Sequence, residues 1–97
     1  MPEFIGKNKS FKKFILANIK YPNKAKQLGI EGTVYIEFII NIDGSVSDIK
    51  ILRGISPDLN KEAIRLIKLT NKMWLPGEQR GKKVKIRKVL PIKFNFD

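Results

Sequence analysis

Between residues 10 and 20 the apolar positions Phe11, Phe14, Ile15 and Ile19 recur at i, i+3, i+4 and i+8, the spacing of one helical face, and Ser10 stands where an N-cap belongs. Tyr21-Pro22 predicts the end of this helix, because the residue ahead of a proline is pushed out of the α region. Pro22 can then open a second, shorter turn of helix through Leu28, with Gly29 as its stop. After that the period changes from helical to alternating. Thr33 to Ile40 is rich in β-branched and aromatic residues, with Val34, Ile36, Phe38 and Ile40 on one face. Asp43-Gly44 follows as a hairpin signal, since such turns need positive φ, and Val46 to Arg53 is the returning antiparallel strand.

Gly54 breaks that strand, and Ser56-Pro57-Asp58 supplies an N-cap, an N1 proline and an acid facing the positive end of the helix dipole. Leu59, Ala63, Leu66, Ile67 and Thr70 continue at helical spacing to about Asn71. Trp74 to Gly81 is expected to be a loop. Val84 to Phe96 is expected to be one long strand with Val84, Ile86, Leu90, Ile92, Phe94 and Phe96 on one face, interrupted by Lys88. Pro91 cannot donate to a ladder on both sides, which puts this strand at a sheet edge. The predicted fold class is α+β: a three-stranded antiparallel sheet centred on Thr33 to Ile40, with two main helices packed on one face and the last strand at the edge. No linker or repeat divides the chain, so 1–97 reads as a single domain in which residues 1–9 are an N-terminal extension whose order the pattern leaves open.

A chain of 97 residues that is 42% apolar has room for one core and can fold without disulfides or metal. No window approaches the roughly 20 apolar residues of a membrane span, and the N-terminus lacks the features of a signal peptide, so any anchor is expected outside this sequence. Cysteine and histidine are both absent, which removes imidazole and thiol catalysis and zinc sites of the Cys/His type. The carboxylates Glu31, Glu37, Asp43, Asp48 and Glu62 are scattered along the pattern and form no recognisable acid/base or metal cluster. No catalytic residue, cofactor or metal is therefore expected from these residue types.

The formal charge is +11 with lysine used throughout the chain, and six of the nine residues from Arg80 to Lys88 are basic. Lysines on an edge strand prevent unwanted sheet pairing, and this explains the run better than a phosphate-binding strip does. Nucleic acid is not an expected partner, because the aromatic residues mostly fall on core-facing positions and leave no stacking platform. Attraction to anionic peptidoglycan or lipid headgroups is a further use of the charge, with no specific residues attached. Trp74 reads as a core anchor, Glu31 as structural, and Asp43-Gly44 as a turn lacking the further acidic ligands of a calcium loop. Tyr35 fits either a surface position or one beneath the N-terminal helix.

Several short motifs occur in order: Tyr21-Pro22, Ala25, Gly29-Ile30-Glu31-Gly32, the Val34 to Ile40 strand, Asp43-Gly44, Val46 to Leu52, Ala63, Trp74, Pro76-Gly77 and the closing Val84 to Phe96 strand. Together they resemble the C-terminal domain family of TonB, the energy transducer of Gram-negative bacteria, over nearly the whole chain. The opening Pro2-Glu3-Phe4-Ile5-Gly6, the Asn18 to Pro22 segment and Gln79-Arg80-Gly81-Lys82 look most like Bacteroidetes versions. The resemblance implies a periplasmic domain that ends a longer, inner-membrane-anchored protein and is not an enzyme. Such a domain captures the TonB box, an N-terminal segment of outer-membrane transporters, on its last strand, and a motor of ExbB and ExbD acts through the missing N-terminal part. The transported nutrients in that family include iron chelates, cobalamin and glycans.

An edge strand bears a row of unpaired N–H and C=O groups that an added peptide strand can satisfy, so the residues point to the same surface by themselves. The candidate partner-binding residues are those before the proline: Val84, Lys85, Ile86, Arg87, Lys88, Val89 and Leu90. Lys85, Arg87 and Val89 lie on the solvent face and suit an acidic partner. The resemblance adds Asn18, Ile19 and Lys20, just before Tyr-Pro, as transporter contacts; Asn18 keeps a side-chain amide, whereas Ile19 and Lys20 depart from the glutamine-rich family pattern. Two other readings stand beside this one. The domain could be the C-terminal sensor or interaction module of a membrane-anchored regulatory metallopeptidase, or its bare edge could pair with a second copy as a homodimer.

Overall fold

The computed structural model of the chain describes residue 4 and residues 10–96. Helix α1, Phe11–Asn18, is capped by Ser10, whose hydroxyl accepts from the Lys13 N–H at 3.4 Å. It ends where Ile19 turns extended ahead of Tyr21-Pro22, and the short α2, Asn23–Gln27, closes on Gly29 at φ +67°. Two strands follow, β1 (Gly32–Ile40) and β2 (Val46–Arg53). Helix α3, Pro57–Leu69, starts from the Ser56 cap with proline in its first turn. The chain then forms β3 (Gly77–Gln79), β4 (Lys82–Val84) and β5 (Ile86–Phe94).

The main sheet is antiparallel with the order β2-β1-β5, so β1 is central and β5 lies at an edge, as the alternation and Pro91 predict. Val34, Ile36, Phe38 and Ile40 of β1 and Ile92 and Phe94 of β5 are buried against Leu59, Ala63, Leu66 and Ile67 of α3 and Phe14 and Ile15 of α1. Each of these Val, Leu, Ile and Phe side chains contributes about 1.5–3 kcal/mol on burial, which is what holds the helices to one face. Trp74 anchors one end of this core. Its indole N–H donates to Thr70 Oγ1 at 2.9 Å, and its ring lies 5.6 Å from that of Phe38 and 5.3 Å from that of Phe4. Phe4 thereby belongs to the domain; the rest of the 1–9 extension lies outside the described residues. The opposite face of the sheet is open, and Tyr35, 39% exposed, stands on it rather than under α1.

The Trp74 to Gly81 stretch is not simply a loop. Its second half is β3, which pairs antiparallel with β4 around a turn at Arg80-Gly81, where both residues take positive φ (54° and 78°) as a tight hairpin turn requires. The final strand consequently starts at Ile86 instead of Val84: Val84 pairs with Gly77, and Lys85 lies between β4 and β5. Gly77 makes this fold-back possible, since a Cβ there would sit 2.3 Å from Ile86 Cγ1. The ribbon is too short to show a clear alternating pattern, and its only sequence signal is the Arg-Gly turn.

Candidate peptide-binding edge

The two edges of the sheet differ in regularity. β5 pairs with β1 without a register shift from Gly32↔Phe94 to Ile40↔Ile86. Pro91 lies within that ladder opposite Tyr35, and it has no N–H to give. An unbroken register through a proline requires its nitrogen to face away from β1, and backbone direction alternates along a strand. Arg87, Val89, Pro91 and Lys93 therefore direct their polar backbone groups outward, while Ile86, Lys88, Leu90, Ile92 and Phe94 pair with β1. The outward edge offers N–H donors at Arg87, Val89 and Lys93, and carbonyls at those residues and at Pro91.

A groove of about 550 Å³ runs beside this edge, between Phe11, Lys12, Ile15 and Leu16 of α1 and the Leu90 to Lys93 stretch with Asn95. Its apolar wall on α1 is the flank beside the buried Phe14: Phe11, the outer edge of Ile15, and Leu16, which is 68% exposed. Groove and edge are contiguous, so an added strand would bring its side chains against α1. Of the groove residues only Leu90 is among the candidates that the motif pattern offers; the α1 wall of Phe11, Lys12, Ile15 and Leu16 and the stretch from Pro91 onward are not. The signal was present in Leu16, an apolar residue off the core-facing helical stripe.

On the open face, Arg87 Nε lies 4.0 Å from Glu37 Oε1, which Lys50 also approaches at 3.2 Å. Both basic groups are more than half exposed, so these contacts contribute little and leave the face basic.

Of the sequence candidates, Ile86 to Leu90 lie on the edge strand, where Leu90 alone among them reaches the groove beside α1, and Val84 and Lys85 precede the strand. Asn18, Ile19 and Lys20 lead elsewhere, toward α3. The Asn18 amide donates to Phe14 O at 2.8 Å, Ile19 packs against the core, and the Lys20 N–H donates to Glu62 Oε2 at 2.7 Å. Glu62 is buried on α3 and also binds Arg65 at 2.6 and 2.7 Å, while Arg65 Nη2 donates to the Asn18 carbonyl at 2.8 Å. The carboxylate beside it raises the Arg65 pKa further, keeping the guanidinium charged. This pair fixes the exit of α1, a role that no spacing pattern reveals because its partners are 42 and 47 residues away.

The remaining motif residues are structural. Glu31 accepts from the Phe96 N–H at 2.6 Å and ties the end of the last strand to the start of β1. Tyr21 donates its hydroxyl proton to the Ile30 carbonyl and stacks on Phe96, with ring centroids 4.6 Å apart; desolvation, aided by Glu31, raises its pKa.

Residues 17–96 match the family described as the Gram-negative bacterial TonB protein C-terminal. The chain belongs to this TonB C-terminal family. TonB proteins from two strains of Helicobacter pylori are 48% identical to it over 50 residues, half of this chain and 18% of each relative's length. The stretch shared with these curated relatives is thus a small part of them. Two solution structures of the Helicobacter pylori TonB C-terminal domain superpose with TM-scores of 0.71 and 0.67 at 31% and 30% identity. They cover 90% and 89% of this chain, which in turn covers 78% and 94% of theirs. The Pseudomonas aeruginosa TonB C-terminal domain follows with a TM-score of 0.64 at 26% identity, covering 82% of this chain and 80% of its own.

Proposed function

We propose that this TonB C-terminal domain works in the periplasm, as the end of a longer anchored transducer, by adding the TonB box of an outer-membrane transporter as a further strand on β5. Force derived from the inner-membrane proton gradient then acts on the transporter through that backbone grip. The observation that carries this reading is the outer side of β5: a regular nine-residue edge strand beside an apolar groove, at the end of the sheet opposite β2. Backbone pairing is nearly indifferent to sequence, so one domain can serve many transporters. At about 0.5–1.5 kcal/mol net per hydrogen bond, the outward groups plus groove contacts reach roughly micromolar affinity, about −8 kcal/mol, which permits repeated capture and release.

An NMR titration with N-terminal transporter peptides, against a scrambled control, tests it. Shifts should concentrate on Ile86 to Lys93 and on the α1 flank. Val89→Pro deletes an outward donor while leaving the β1 side of the strand intact, and should abolish the shifts with the fold retained. Peptide binding that ignores Val89→Pro, or that maps to β2, defeats the proposal.

A further inference from the structure

The edge and its groove together impose a pattern on whatever they capture. We propose that the preferred partner is an extended peptide in which apolar side chains entering the groove between α1 and β5 alternate with acidic side chains facing Arg87 and Lys93. This rests on strand capture at β5 as put forward above, and it specifies which strand is preferred.

In a sheet, residues level with each other on adjacent strands point to the same face, whichever way the added strand runs. Peptide residues level with Leu90 and Ile92 must therefore point toward the helix side, where the groove lies. Phe11, Ile15 and Leu16 form its far wall, so an apolar side chain there removes apolar surface on both partners from water. Peptide residues level with Arg87, Val89, Pro91 and Lys93 point to the open face. There the Arg87 side chain is 68% exposed and Lys93 is also exposed, both basic, and Lys12 adds charge at the groove rim. An acidic residue level with Arg87 or Lys93 meets an opposite charge; a basic one meets repulsion.

The same charges argue against a second copy as occupant. Edge-to-edge pairing would bring two rows containing Lys85, Arg87, Lys88 and Lys93 together in a chain whose formal charge is +11. The spacing also separates the two possible strand directions. Read along β5, the order is acid level with Arg87, apolar residues level with Leu90 and Ile92, then acid level with Lys93. A parallel peptide reads Asp-Ser-Ser-Val-Ser-Val-Asp, and an antiparallel one reads the reverse.

The test uses both peptides, end-capped, with Asp-Ser-Ser-Val-Val-Ser-Asp as a control of equal composition whose adjacent valines point to opposite faces. Affinity is measured by NMR titration. One of the two alternating peptides should bind about tenfold more tightly than the control. Leu16→Glu, at an exposed site, should reduce that peptide to the control's affinity with the spectrum still folded. Arg87→Glu should weaken it and favour the peptide with lysine at the matching position.

Equal binding of all three peptides on β5 overturns the alternation while leaving strand capture standing. No binding by these or by transporter peptides overturns both. Self-association on concentration that shifts the β5 signals without peptide identifies a second copy as the occupant and also overturns the proposal.

Discussion

The sheet has two outer strands, and they differ in regularity. β5 holds one register with β1 over nine residue pairs. β2 loses register twice, between Glu37 and Ile39 and again between Tyr35 and Ile36, because it carries an extra residue at each place. At the first of these Asp48 sits at φ +50°. Bulges twist an edge and interrupt its row of donors and acceptors, which is a common protection against strand addition. The start of β2 is closed as well: the Val46 N–H donates to Asn71 Oδ1 at 3.0 Å. β5 has no such interruption apart from the donor missing at Pro91. A regular edge that persists beside a bulged one is the better candidate for recognition.

The largest test of this contrast concerns the two sides of β5 itself. Leu90→Pro removes a donor aimed at β1 and a half-buried side chain, and should cost about 3 kcal/mol in chemical denaturation. Val89→Pro, one residue away but outward-facing, should cost under about 1 kcal/mol and act on peptide binding alone. Equal destabilisation by the two would show that the outward assignment of Val89 is wrong.

On the other edge, Asp48→Val places a β-branched side chain at positive φ and should cost about 1–2 kcal/mol. Peptide affinity measured on the same variant should stay within twofold of the parent. A large loss of affinity there would implicate β2 and erase the distinction between the edges.

The smallest effect concerns the turn joining β1 to β2. Hydrogen bonds from Lys72 and from Ser45 hold the Asp43 carboxyl well below the usual aspartate range. A carboxylate whose pKa is depressed in the folded state adds stability above its unfolded value, 3.8, and loses it progressively as pH falls below that. The Asp43 side chain is more than half exposed, so the contribution is small. Thermal unfolding followed from pH 5 down to pH 2 should fall more steeply in the parent than in Asp43→Asn, and parallel curves would remove Asp43 from the account. The same turn contains Gly44 at φ +86°, where a Cβ would lie 2.6 Å from the Trp74 carbonyl oxygen; the Asp-Gly signal therefore reports a close approach as well as a turn.

Local patterns made most of the architecture legible. The period-2 run from Val34 to Ile40 marked the central strand, and the Ser56-Pro57-Asp58 cap marked α3. Pro91 marked the edge, because a missing N–H is a local fact with a global consequence. The bulge in β2 had a trace in the sequence too: the half-buried Val46, Ile49 and Ile51 are spaced by three and then two, which strict alternation does not allow. The β3–β4 ribbon was missed because each of its strands has only three residues, too few for a period to show.

The candidate site divides in the same way. That the last strand is an edge and that it is basic were determined by the sequence alone, since backbone chemistry and charge are carried residue by residue. Which half of each β5 residue faces out, that α1 supplies a groove wall along it, and that Glu62 and Arg65 turn Asn18 to Lys20 toward α3 were decided by the tertiary structure. Those features join residues 42 to 47 positions apart or helix flank to sheet edge, and no local pattern encodes a contact between distant segments.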